Sequence, residues 1–116
     1  MLTTYWGDLV NGNKKKLQTP YYAVIFTSQR TKADNGYEKM SQAMVDLASN
    51  QQGFLGIESA RDNDLGITVS FWESLEDIKK WKENSAHQVA QEKGKEEWYS
   101  DYKVRVCKVE RDYSLE

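Results

Sequence analysis

Residues 21–29, YYAVIFTSQ, carry apolar side chains at both parities of a two-residue period. Tyr22, Val24 and Phe26 fall on one side, and Tyr21, Ala23 and Ile25 on the other. Alternate residues of a strand face opposite sides, so a strand with this pattern needs cover on both faces. That requirement constrains the whole chain. A chain of 116 residues builds one domain around one core, and its helices can cover one face of a four-stranded sheet. Nothing is left to cover the other face. A second copy related by a two-fold axis supplies the missing layer, so the pattern predicts a homodimer joined through sheet faces.

The other elements follow from period and punctuation. Tyr37, Met40, Met44, Leu47 and Ala48 recur at helical spacing, with Asp34 or Asn35 placed to cap the start and Gly53 just past the end. FLGIESARD and GITVSFWE flank the turn-forming pair Asn63-Asp64 and predict a hairpin. In its second strand Ile67, Val69 and Phe71 take one face, and Thr68, Ser70 and Trp72 the other. Ser74-x-x-Asp77 resembles a capping box and opens a short helix with Ile78 and Trp81. Asn84 reads as its terminator, and Ser85-x-x-Gln88 as the cap of a further helix ending near Gly94. WYSDYKVRVCKVERDY closes the chain as a strand around Val104, Val106 and Val109. The expected order is β-α-β-β-α-α-β, an α+β arrangement. Residues 1–20 show no clear period and end at Pro20, so a mostly irregular N-terminal arm, docked by Tyr5, Trp6 and Leu9, precedes a single domain over 21–113.

Several function classes are disfavoured. Sixteen Lys and Arg against 18 Asp and Glu leave a net charge of −2, and Lys14-Lys15-Lys16 stands alone beside a Gly/Asn-rich turn, so no basic surface awaits nucleic acid. The opening MLTTYWGDLVNG lacks the pattern of a signal peptide, and no apolar run is long enough to span a bilayer. The single cysteine, Cys107, forms no internal disulfide and suits a reducing cytoplasm. It reads as a small buried residue rather than a nucleophile. Asp62-x-Asp64-x-Gly66 with Glu73 is not a calcium loop, because Ile67 holds the position that needs glycine. One histidine with one cysteine makes a poor metal site, and there is no glycine fingerprint for phosphate. Glu58 and Arg61 lie on opposite parities, so they are not a pair within their strand. Arg105 shares parity with Cys107 and Val109 and is expected in a surface ion pair. The four Trp, seven Tyr and three Phe serve first as core and interface packing.

GFLGIESARD, SFWES and IKKWKENSAHQVAQEKG, set in this element order, resemble the antibiotic biosynthesis monooxygenase family over roughly residues 21–111. The clearest local mark is Trp72-x-Ser74 followed by Trp81. The resemblance implies a ferredoxin-like fold with a four-stranded antiparallel sheet, assembled as a dimeric α+β barrel. It also implies a pocket between helices and sheet. In the cofactor-free members the substrate is an electron-rich phenol that itself reacts with oxygen, while the protein deprotonates, positions and stabilises the anion. No metal or flavin is implied for that chemistry. Heme-degrading members resemble one another in an asparagine on the first strand and a tryptophan followed ten residues later by histidine. Here Trp81 is followed at that distance by Gln91, and the first strand offers Phe26, Thr27 and Ser28.

The candidate site is therefore Trp81 and Trp72 as aromatic walls, Asn84 as a polar contact and His87 as the base. With Ser85 as cap, His87 falls at the second position of a helix, where the dipole favours the neutral imidazole that accepts a proton. The competing reading of His87 is a helix-start residue bonded to backbone. The expected activity is cofactor-independent oxidation of a small aromatic or polyketide-like molecule. A non-catalytic dimeric binding protein using the same pocket is the alternative, and a heme-binding or heme-degrading protein the third.

Overall fold

The computed structural model describes residues 3–4, 17–31, 37–92 and 99–115. Within them the chain runs β1 (Thr3–Thr4), β2 (Tyr21–Arg30), α1 (Tyr37–Ser49), β3 (Phe54–Arg61), β4 (Leu65–Trp72), α2 (Leu75–Glu92) and β5 (Tyr99–Val109). The sheet order is β1-β3-β4-β2-β5, with every pairing antiparallel. Without β1 this is the four-stranded ferredoxin-like sheet with helices on one side. The strand with apolar residues at both parities is accordingly internal, held by β4 on one edge and β5 on the other.

Two elements differ from the sequence reading. Thr3 and Thr4 pair with Arg61 and Ala60, so part of the N-terminal arm adds a short fifth strand at the β3 edge. Tyr5, Trp6 and Leu9, the expected docking residues, lie outside the described residues, as do Asp34 and Asn35, the expected caps of α1. The second difference is larger. α2 runs unbroken from Leu75 to Glu92, where two helices were expected to meet at Asn84 and Ser85. The Ser85 hydroxyl donates to the Lys82 carbonyl one turn back, at 3.2 Å, which is how a serine is accommodated inside a helix. It caps nothing.

The true cap is at the other end. Ser74 Oγ accepts from the Asp77 amide at 3.0 Å and donates to the Asp77 carboxylate at 2.7 Å, which satisfies an orphan amide of the first turn. Glu76 and Asp77 also favour the positive end of the helix. Gly53, with φ of +84°, turns the chain from α1 into β3 against this cap. Its carbonyl accepts from the Glu73 amide at 2.8 Å, and a Cβ there would overlap the Asp77 carboxylate.

The hairpin turn is built by Asp62. Its carboxylate accepts the amides of Leu65 at 2.7 Å and Asp64 at 2.8 Å. Those bonds hold its carboxyl below the usual carboxylate range, Leu65 contributing most.

α1 packs on β3, α2 on β4, and the two helices touch each other. Under them lies the core of Ala48, Trp72 and Ile78, joined by half-buried Tyr22, Val24, Phe54 and Trp81. The opposite face of the sheet carries no layer among the described residues. There Ile67 is 41% exposed and Leu65 38%, and Cys107, expected to be buried, is exposed. The reason is position: β5 is an edge strand, and Cys107 shares the uncovered face. Arg105, on the same face, is exposed and makes no ion pair among the described residues. Tyr21 is the best-buried aromatic there, edge-on to Phe71 and donating to the Asp112 carboxylate at 2.5 Å. Burial pushes its phenol up to about 12, helped by the Asp112 hydrogen bond and by the charges of Asp112 and Glu58. No described helix is long and apolar enough to cross a membrane.

Candidate functional site

The strand registers lay out the helix side of the sheet as four cross-strand rows. Phe54, Trp72, Tyr22 and Lys108 form the first, and Ile57, Ser70, Val24 and Val106 the second. Ser59, Thr68, Phe26 and Val104 form the third, and Arg61, Gly66, Ser28 and Tyr102 the fourth. The rows grade from aromatic to polar. At the first, Phe54 meets Trp72 edge-on with centroids 5.5 Å apart, and Trp81 stacks on Trp72 at 5.9 Å with planes 24° apart. The Trp72 indole N–H, which needs an acceptor once buried, donates to Ser70 Oγ at 2.9 Å.

The far rows hold a polar network. Ser59 and Thr68 hydroxyls meet at 2.8 Å, and Arg61 Nη2 donates to Ser28 Oγ at 2.5 Å. Ser28 is 1% exposed. Arg61 reaches it by crossing β4 at Gly66, where a Cβ would overlap the guanidinium. The glycine is what lets an edge-side arginine serve the centre of the sheet.

α1 packs on β3 and α2 on β4, and among the described residues the part of this face over β5 is left exposed. Val24 and Phe26, beside it on β2, are half-buried, with Tyr102, Val104 and Val106 40%, 49% and 51% exposed. Phe26 and Tyr102 stack at 5.6 Å. The result is an apolar strip with an aromatic end at Trp81 and a cationic, hydroxyl-lined end at Arg61. Such a surface suits a flat molecule that carries or develops negative charge at one end.

The sequence-derived residues separate on this frame. Trp72 has no exposed surface and acts as the backing for Trp81. Trp81 is half-buried and packs on the core through Trp72. Asn84 is exposed and donates to Gln51 Oε1 at 3.1 Å, tying α2 to the turn after α1. The backbone of His87 lies inside α2, twelve residues after Leu75 and five before Glu92; its side chain is outside the described ones. The helix-start argument for a neutral His87 therefore fails. Arg61, Ser28, Ser59 and Thr68 were missed. The available signal was Thr68 and Ser70 on the same parity as Trp72, which marks the helix-facing side of β4 as polar at one end.

A cavity of about 200 Å³ lies elsewhere, on the uncovered face, lined by Thr27, Ser28, Gln29, Leu65, Asp101, Lys103 and Arg105. It is smaller than the ~300 Å³ lower bound for ligand pockets and includes none of the sequence-derived site residues.

Residues 20–93 match the family model described as antibiotic biosynthesis monooxygenase. The Bacillus subtilis protein YqjZ, itself uncharacterised, is 50% identical over 98 residues, covering 84% of this chain and 86% of that protein. A jasmonate monooxygenase of Pyricularia oryzae is 30% identical over 94 residues; the match covers 76% of this chain but only 43% of that enzyme. Among solved structures, PA3566 from Pseudomonas aeruginosa matches at TM-score 0.63 and 17% identity, over 84% of this chain and all of that one. That likeness is one of fold.

Proposed function

This chain belongs to the antibiotic biosynthesis monooxygenase family, and from that membership we propose that it is a cofactor-independent monooxygenase. Its substrate is a small aromatic or polyketide-like molecule bound on the helix side of the sheet. It works as a homodimer joined through the opposite sheet face, and its single cysteine suits a reducing cytoplasm. The observation that carries the reading is the polarity gradient from the Trp72–Trp81 stack to the Arg61–Ser28 pair across an open apolar strip.

The residues divide the work as follows. Trp81, backed by Trp72, offers a ring for the substrate to stack on. Arg61 stabilises the phenolate, in surroundings where a fixed cation is worth more than in water. His87 is the base: at 1.5 Å per residue its backbone lies about 9 Å beyond Trp81 along α2. Asn84 holds α2 in place through Gln51. Once the phenol is deprotonated, the anion supplies electrons to dioxygen directly. One oxygen atom remains on the ring as a new carbonyl, the other leaves as water, and the phenol becomes a quinone.

The test is oxygen uptake with simple phenols and quinols in the presence of a chelator. Turnover that survives chelation and falls on Trp81→Ala or His87→Ala supports the enzyme. If no phenol is turned over and His87→Ala leaves phenol affinity unchanged, the chain is a binding protein.

A further inference from the structure

The helix side of the sheet holds two aromatic beds, one at each end of the strip. Trp81 on Trp72 is the first. The second is Phe26 on β2 stacked with Tyr102 on β5, in the third and fourth rows, next to the Arg61–Ser28 hydrogen bond. Trp72 and Gly66, in the first and fourth rows, are six residues apart on β4. At ~3.4 Å per residue the two ends of the strip are therefore about 20 Å apart. A single phenol ring reaches one bed and not the other.

Charge decides which end takes the phenol. A developing phenolate is stabilised by the Arg61 guanidinium, and Phe26 and Tyr102 give its ring a surface to stack on. Between this bed and Trp81 the floor changes character. Val104 and Val106 on β5 are 49% and 51% exposed, and Val24 beside them on β2 is half-buried. The hydroxyls of the third row, Ser59 and Thr68, are bonded to each other at 2.8 Å and need no polar group from a ligand. An aliphatic floor suits an aliphatic occupant. The strip also runs along strands that twist, which a saturated tail follows and a rigid plate of fused rings of the same length does not.

We propose that the substrate is a phenol carrying a long apolar tail. The ring lies on Phe26 and Tyr102 with its hydroxyl toward Arg61, and the tail runs over Val104 and Val106 to end on Trp81. The inference rests on the monooxygenase reading above and adds the substrate class. Arg61 then selects for the phenol, and the distance to Trp81 for the length of the tail. Covering the two valines takes exposed apolar surface out of water, so affinity grows with each methylene the strip accommodates.

Phenols with a methyl, hexyl or dodecyl group at the meta position test this with the intact protein; each keeps its para carbon free for conversion to the quinone. Oxygen uptake is measured with a chelator present and below the micellar concentration of each phenol. KM should fall more than about a hundredfold from methyl to dodecyl. Val104→Asp and Val106→Asp, which put a charge in the path of the tail, should each shrink that ratio at least about tenfold. Circular dichroism confirms that both variants are folded. The same KM for all three phenols, or a ratio unchanged in both aspartate variants, overturns the proposal and leaves the monooxygenase standing. If nothing is turned over, a tryptophan fluorescence titration with the same phenols separates the cases. Binding that still tightens with tail length sinks the monooxygenase and keeps the long-tailed ligand, whereas binding indifferent to length overturns both.

Discussion

Trp81 lies on Trp72, ring on ring, with centroids 5.9 Å apart and planes 24° apart. One indole is wholly buried and the other half-buried, so a single stack joins the core to the open strip. Trp72→Ala should cost about 3–5 kcal/mol of stability, as deletion of a buried aromatic does. Trp81→Ala should cost less, since part of its ring is already exposed, yet weaken phenol binding more. Urea unfolding and a fluorescence titration of phenols read the two effects separately. Equal losses of stability would show that Trp81 is no more than core.

Gly66 gives a sharper handle on Arg61 than changing the arginine itself. Gly66→Ala adds a methyl where the guanidinium now lies, and overpacking of this kind costs about 1–3 kcal/mol. Arg61 is expected to lose its contact with Ser28, and oxygen uptake should fall to the level of Arg61→Ala. Combining the two substitutions should add little, because both remove the same group. Additive losses would place Gly66 and Arg61 in separate roles.

Ser74 and Ser85 look alike in sequence and differ in the fold. Ser74→Ala removes a cap that bonds Asp77 and should cost roughly 0.5–2 kcal/mol. Ser85→Ala removes a hydroxyl bonded back to Lys82 within α2 and should be neutral or gain a few tenths of a kcal/mol. Thermal unfolding of both variants decides it; a Ser85→Ala loss near 1 kcal/mol would restore a helix boundary at that position.

Tyr21 makes stability fall at high pH. Its phenol ionises near the ordinary value of 10.0 when unfolded and at about 12 in the folded chain, where it is only 6% exposed. Between those values the folded chain keeps a proton that the unfolded chain has lost. Stability contributed by this group is intact below pH 10 and declines through the window, by at most about 3 kcal/mol. Urea midpoints measured across that range should slope downward, and Tyr21→Phe should flatten the slope. An unchanged slope in Tyr21→Phe would assign it to other groups.

Much of the fold was legible because burial writes a period. The two parities of Tyr21–Phe26 called for cover on both faces, and β2 is internal to the sheet; the parity of Thr68, Ser70 and Trp72 separated the two faces of β4 but left open which of them meets the helices. α2 was misread because Asn84 and Ser85 are polar residues of low helix propensity, and local preference alone suggests a break there. Packing of Ile78 and Trp81 on the sheet, the Ser85–Lys82 bond and the Asn84–Gln51 bond carry the helix through. The site was legible in its aromatic half and hidden in its polar half. Arg61 and Ser28 are 33 residues apart, and only the β4 register shows that Gly66 lies between them.

The central position of β2 has a consequence for biosynthesis. Among the described strands it leaves the ribosome before both of its neighbours: β4 pairs it from Leu65 onward, and β5 joins Tyr21 to Val109. A nascent chain that has emerged only through α2 can satisfy β2 on one edge, with the other left as an apolar template for wrong partners. Truncation before Tyr99 should therefore cause aggregation rather than merely a weaker fold, because β5 is the strand that closes the second edge of β2.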